Sequence, residues 1–187
     1  MDPSLSVELA KHDWTAFRTF TGDASRVPVA IVTLASAESD EQAAAGYWRI
    51  DNVVVVDGRL SEAVKPVTSC LLVAMDLAPP PGRKSILDLL SVIATGYEEH
   101  VDNQVVGEVS VRTCVEMMAS RLNAFIEELL ASGNASCVDI LLMCAVHVDG
   151  VLNEVCQAFV SALSLRSCLS IREHIEIAID DLPQSCQ

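Results

Sequence analysis

Apolar residues recur along this chain in three spacings, and each spacing predicts an element. Continuous apolar stretches rich in β-branched residues run over Val27 to Ala35 (VPVAIVTLA), Val67 to Leu77 (VTSCLLVAMDL) and Cys137 to Val148 (CVDILLMCAVHV). They read as buried strands, the last as a central one covered on most of both faces. Tyr47 to Val56 (YWRIDNVVVV) is a further strand candidate, ended by the turn pair Asp57-Gly58. The connection from there to Val67 includes Arg59 to Pro66, so these two strands are expected to pair antiparallel. His174 to Asp180 (HIEIAID) alternates with period two and reads as a half-exposed strand.

Helical spacing governs the rest. Ile86, Leu89, Leu90, Ile93, Tyr97 and Val101 follow i, i+3, i+4, i+7 after a cap at Ser85, and Pro79 to Gly82 predicts a stop before them. A single helix is expected over Glu108 to Ala131, with Val111, Val115, Met118, Leu122, Phe125, Ile126 and Leu129 on one stripe and Gly133-Asn134 as its end. Leu152, Val155, Cys156, Phe159, Val160 and Leu163 form another stripe. Near the start, Trp14, Phe17 and Phe20 stand at helical spacing behind a cap at Asp13, while Ser36 to Ala45 reads as a solvated loop or helical turn. The expectation is one α/β or α+β domain over residues 1–187. Its mostly buried mixed sheet has four or five strands (near 27–35, 47–56, 67–77, 137–148 and 174–180), with amphipathic helices packed on it.

Composition agrees with a globular body: 187 residues, 51% hydrophobic and 20% charged. Charge narrows the partners. Twelve Lys and Arg face 26 Asp and Glu, for a formal net charge of −14, so phosphate neutralisation along a nucleic acid lacks its basic face. The longest apolar stretch, broken by Asp76 and followed by three prolines, is too short to cross a bilayer. Seven cysteines sit mostly in apolar runs and read as small buried hydrophobes without a structural disulfide. With an acidic start and no apolar leader, this places the protein in the cytoplasm or nucleus.

Candidate chemistry is sparse. His147 and Asp149, two apart on one face at the end of the expected strand 137–148, are the first choice for a site, because α/β sheets place functional groups at that edge. The plainer alternative has His147 capping the strand and Asp149 serving the turn. Cys144 and His147 have the spacing of half a zinc site, but a separation of three on a strand points them to opposite faces. Cys144 and Cys70 are the thiols to consider as nucleophiles, and Glu98 to Asp102 (EEHVD) groups carboxylates with an imidazole at a helix end. No C-x-x-C pair, phosphate loop, G-x-G-x-x-G or G-x-S-x-G is present, and neither a metal nor a cofactor is expected.

The unit formed by Ser120 to Leu130, Val138 to Gly150 and Asn153 to Leu163 resembles the RNase PH-like superfamily, in which a helix, a β-branched strand ending in Asp-Gly and an alanine-rich helix follow one another. Active members are expected to bind phosphate with arginines and to carry an acidic catalytic residue well downstream of the turn. Here Arg166 and Arg172 are the only basic residues after Gly150. The resemblance therefore implies a degenerate, exosome-ring-type subunit without catalysis. The reading is a non-catalytic interaction subunit or scaffold with protein partners or self-association. The alternative is a small α/β enzyme using His147 and Asp149. A residual RNA-associated role would need Arg49, Arg59 and Lys65 to converge.

Overall fold

The computed structural model describes residues 2–98 and 107–183, and it corrects the fold class: the chain is mainly helical, about 70%, with two small two-stranded sheets. The mostly buried mixed sheet of four to five strands does not exist. All five expected strands are helices for most of their length. In chain order the helices are α1 (Pro3–Ala10), α2 (Val27–Ala35), α3 (Asp40–Val54), α4 (Val64–Leu77), α5 (Pro80–Ala94), α6 (Val111–Ala119), α7 (Leu122–Ser132), α8 (Ala135–His147), α9 (Leu152–Leu163) and α10 (Arg172–Asp181). A 3-10 turn spans Arg166–Ile171.

The correction has a physical cause. A short apolar run looks alike as a buried strand and as a helix whose outward face is also apolar. In α2 the fully buried residues are Val27, Ala30, Ile31 and Leu34, a helical set. Val29, 63% exposed, fills the outer face and hides the period. In α8 the buried set Cys137, Val138, Ile140, Leu141, Cys144 and Ala145 has the same logic. The alternation over 174–180 also misleads, since only Ile175 and Ala178 are inside while Ile177 is 56% exposed.

Local signals fix the helix ends. Asp2 caps α1, its carboxylate accepting from the Ser4 amide at 2.8 Å. The loop read at Ser36 to Ala45 conceals a cap: Ser39 accepts from the Gln42 amide at 3.3 Å while Gln42 accepts from the Glu38 amide at 2.9 Å. Prolines that were expected to stop the chain instead open α5, where Pro80 and Pro81 occupy first-turn positions whose amides need no partner. Asn134 caps α8 through the Ser136 amide at 2.9 Å. The single helix expected over 108–131 is two, α6 and α7, separated at Ser120 and Arg121. The expected end of α7 is present: Gly133 is left-handed at φ 65 and donates to Leu129 O at 2.9 Å. A Cβ there would sit 2.0 Å from Ser167 O, so glycine serves both the turn and the approach.

The chain divides into two compact units, Met1–Cys114 and Val115–Gln187. In the first, α2 packs on α3 and α4 on α5, while α2 also meets α4 and α3 meets α5. Two helix hairpins are therefore stacked, like helix on like, with α1 against α4. Two short hairpins complete this unit. Arg18–Thr19 (β1) pairs antiparallel with Gly22–Asp23 (β2), and Val55–Val56 (β3) with Arg59–Leu60 (β4). The second turns at Asp57-Gly58, as expected, but its partner is four residues on and not 67–77. In the second unit α7 packs on α8 and α9 on α10, with α7 also against α9 and α8 against α10. Phe125 and Phe159 are fully buried there.

Thiols are mostly as expected. Cys70, Cys114, Cys137, Cys144 and Cys168 are free and buried. Cys156 departs from the all-thiol expectation, being disulfide-bonded.

Candidate functional site

His147 ends α8 and Asp149 lies in the following turn, so the strand edge that made them a candidate pair is absent. His147 is half-buried and Asp149 exposed. Neither carries a hydrogen bond or ion pair with any described residue, and neither lines the clefts described below. On a helix, Cys144 and His147 do share a face, opposite to the strand expectation. Cys144 nonetheless turns inward, fully buried, with its Sγ 3.9 Å from Val115 O. No group of three metal-capable side chains forms among the described residues.

The thiols considered as nucleophiles are set against that role. Burial pushes Cys144 up to about 12, and burial followed by the charge of Glu8 does the same for Cys70. Cys114 rises to about 11, again by burial first. A thiolate is the reactive form, so these groups are inert at neutral pH. Of the cluster 98–102, only Glu98 lies within the described residues, and it is exposed.

Sequence reasoning missed the polar groups that the fold does bring together. Glu8 of α1 accepts from Lys11 at 2.6 Å and from Ser69 of α4. These two donors, Lys11 first, hold its carboxyl below the usual carboxylate range. His12 stands beside it, Nε2 3.7 Å from Glu8 Oε1, with Nε2 buried and without a hydrogen bond. The imidazole edge meets the Trp14 ring at 5.5 Å and the Phe17 ring at 6.4 Å between centroids. His12 and Phe17 also line a cleft of about 610 Å³ together with Glu62, Lys65, Ser110 and Thr113. Glu62 is held by Arg18, whose amide and Nε donate to it at 3.0 and 3.3 Å. In this cluster Glu8, engaged by two donors, ties α1 to α4. The i, i+4 spacing of Glu8 and His12 was its only sequence signal.

In the second unit His174 of α10 meets Asp139 of α8, Nε2 to Oδ1 at 2.7 Å. Both are partly exposed, and His174 lines a cleft of about 400 Å³ with Ser170, Ile171 and Ile177. The pair joins two adjacent helices. No sequence pattern links positions 35 residues apart.

Basic residues do not gather as an RNA-associated role required. Arg59 reaches Asp57 at 3.6 Å and lies over the Phe20 ring at 5.5 Å. Lys65 lines the 610 Å³ cleft, and Arg49 a different one of about 560 Å³. No described helix is long and apolar enough to cross a membrane. No family model matches the chain, and neither the curated proteins nor the solved structures give a match.

Proposed function

We propose that this chain is a non-catalytic interaction subunit or scaffold that works through the outer faces of its stacked helix hairpins, engaging protein partners or a second copy of itself. The observation that carries the reading is the set of large apolar side chains left outside an otherwise filled core. In the second unit these include Val160, Leu169 and Ile177, at 64, 60 and 56% exposure. In the first they include Trp48 at 57% and Val29 at 63%. Helix hairpins stacked on their sequence neighbours bury one face of each helix and present the other as an extended surface, an architecture used widely for binding. Exposed tryptophan is the residue type most enriched at binding hot spots.

A small enzyme centred on His147 and Asp149 draws no support from the geometry, since the two residues make no hydrogen bond or ion pair with a described residue and line none of the clefts described above. The resemblance to RNase PH-like proteins is not carried into this reading, because the strand it relied on, Val138 to Val148, is helix α8 with the first residue after it. A cytoplasmic or nuclear setting draws support from five free buried thiols, with the bonded Cys156 weighing against it.

Size-exclusion chromatography with light scattering tests the reading. A mass that is a multiple of 20.1 kDa, reduced to the single-chain value by Val160→Glu with Ile177→Glu or by Trp48→Glu, is the expected result. A single-chain mass at every concentration, joined by a small-molecule thermal shift that His147→Ala abolishes, would overturn it in favour of the enzyme.

A further inference from the structure

Within the first unit, the β1–β2 hairpin, the segment leading into α2 and the middle of α3 enclose a cleft of about 560 Å³ lined by Thr21, Asp23, Ser25, Arg26, Arg49 and Val53 among others. We propose that this cleft binds a phosphate-bearing anion, gripped between the guanidinium groups of Arg26 and Arg49 with the Thr21 hydroxyl as a further donor.

The charges make the first part of the argument. In a chain with 26 carboxylate side chains and 12 cationic ones, a cation ordinarily finds an acidic partner. Lys11, Arg18, Arg59 and Arg172 do, with Glu8, Glu62, Asp57 and Glu176. Arg49 has no ion pair and no hydrogen bond to any described residue, and Arg26 has only the charge attraction of Asp23 without a close ion pair, yet both line one concavity. Two like charges lining one concavity favour an anion between them.

The donor chemistry makes the second part. A guanidinium is a planar fork that matches two oxygens of a phosphate at once, which an ammonium does not. The one carboxylate in the lining, Asp23, is already occupied: its Oδ1 accepts from the Ser25 amide at 2.9 Å. Hydrogen bonds from the Ser25 hydroxyl and amide also hold it below the usual carboxylate range. Two arginines against one carboxylate leave the cleft net positive within a body of formal charge −14. Val27 and Val53 add apolar lining, which suits an organic group carrying the phosphate and not a bare ion alone.

That chemistry has two sources, a free small phosphate ester or a phosphorylated side chain on a protein partner. Neither source depends on the interaction reading above, and the cleft stands or falls separately from the oligomer mass. Isothermal titration calorimetry at low ionic strength separates them, using inorganic phosphate, O-phosphoserine, a phosphoserine peptide and its unphosphorylated twin as probes. Expected is saturable one-to-one binding of the phosphorylated probes and none of the unphosphorylated peptide. Arg26→Gln with Arg49→Gln should weaken binding at least tenfold, Arg49→Lys should lose less, and Lys84→Gln, on α5, should change nothing. A phosphopeptide bound at least tenfold more tightly than O-phosphoserine assigns the site to a phosphorylated partner, and a smaller margin assigns it to a free ester. Both variant sites are exposed, so the variants keep their fold, checked by an unchanged melting curve. No saturable heat with any phosphorylated probe, or equal affinity in the double variant, would overturn the proposal.

Discussion

Gly82→Ala is the substitution on which a stacked-helix architecture and a sheet disagree in sign. Gly82 lies in the first turn of α5, buried against α2. A Cβ built there would stand 2.0 Å from the backbone oxygen of Leu34 and 3.2 Å from its carbonyl carbon. Helix propensity alone favours alanine by about 1 kcal/mol. To reach ordinary contact at 3.4 Å, however, α5 must withdraw from α2 by about 1.4 Å, the difference between the two distances. A backbone oxygen cannot rotate aside as a side chain does, so the neighbouring core gives way. Overpacking of this kind costs about 1–3 kcal/mol, and here more than the propensity gain returns. Toward the upper end of that range the net loss is about 2 kcal/mol, which at a urea slope near 2 kcal/mol/M lowers the midpoint by about 1 M. Both tryptophans, Trp14 and Trp48, lie in the first unit, so their fluorescence follows the unit that carries the change. A midpoint equal to or above that of the parent would refute the close approach of α2 and α5.

Other consequences follow from the same contacts. Phe159→Ala empties a fully buried site in α9 and should cost about 3–5 kcal/mol, read from urea unfolding by circular dichroism. Asn134→Ala removes the cap of α8 and should cost about 1 kcal/mol in the same assay. Burial first, then the charge of Asp57, raises the carboxyl of Asp51, so its folded value lies above its unfolded one and its charged form opposes folding at neutral pH. Asp51→Asn should therefore raise the urea midpoint at pH 7, with the difference vanishing as pH falls through and below the ordinary carboxylate range. Equal midpoints at pH 7 would count against that environment. Cys70, Cys114 and Cys144, raised to about 12, 11 and 12, should resist alkylation at pH 8 until urea unfolds the chain, as mass spectrometry would record.

The sequence was legible where a residue type has one structural use. Gly133 at the end of α7, the Asp57-Gly58 turn and the α9 stripe through Val155 and Phe159 stand where their chemistry put them. It misled where apolar side chains stand on the outward face and hide the period. Helices α2 and α8 carry the exposed Val29 and Val146 where a periodic reading would place polar residues, and α4 is buried over most of its length, so such runs look like strands until packing is known. Taking 137–148 as a strand then created the candidate pair His147 and Asp149, and on a helix end that pairing has no geometric basis. The groups that do meet come from distant positions: His174 with Asp139 and Ser69 with Glu8, while Arg26 and Arg49 line one cleft. No local pattern records such meetings, because they follow from the stacking of hairpins and not from any single element.

Backbone chemical shifts across residues 27–35, 67–77 and 137–148 test the central claim most directly, since everything proposed for the surface depends on these runs being helices. Positive Cα secondary shifts through all three, interrupted only at their caps, are the predicted result. Sustained negative shifts through any one of them would mean a strand there, and would contradict the stacked hairpins together with the outer faces assigned to binding.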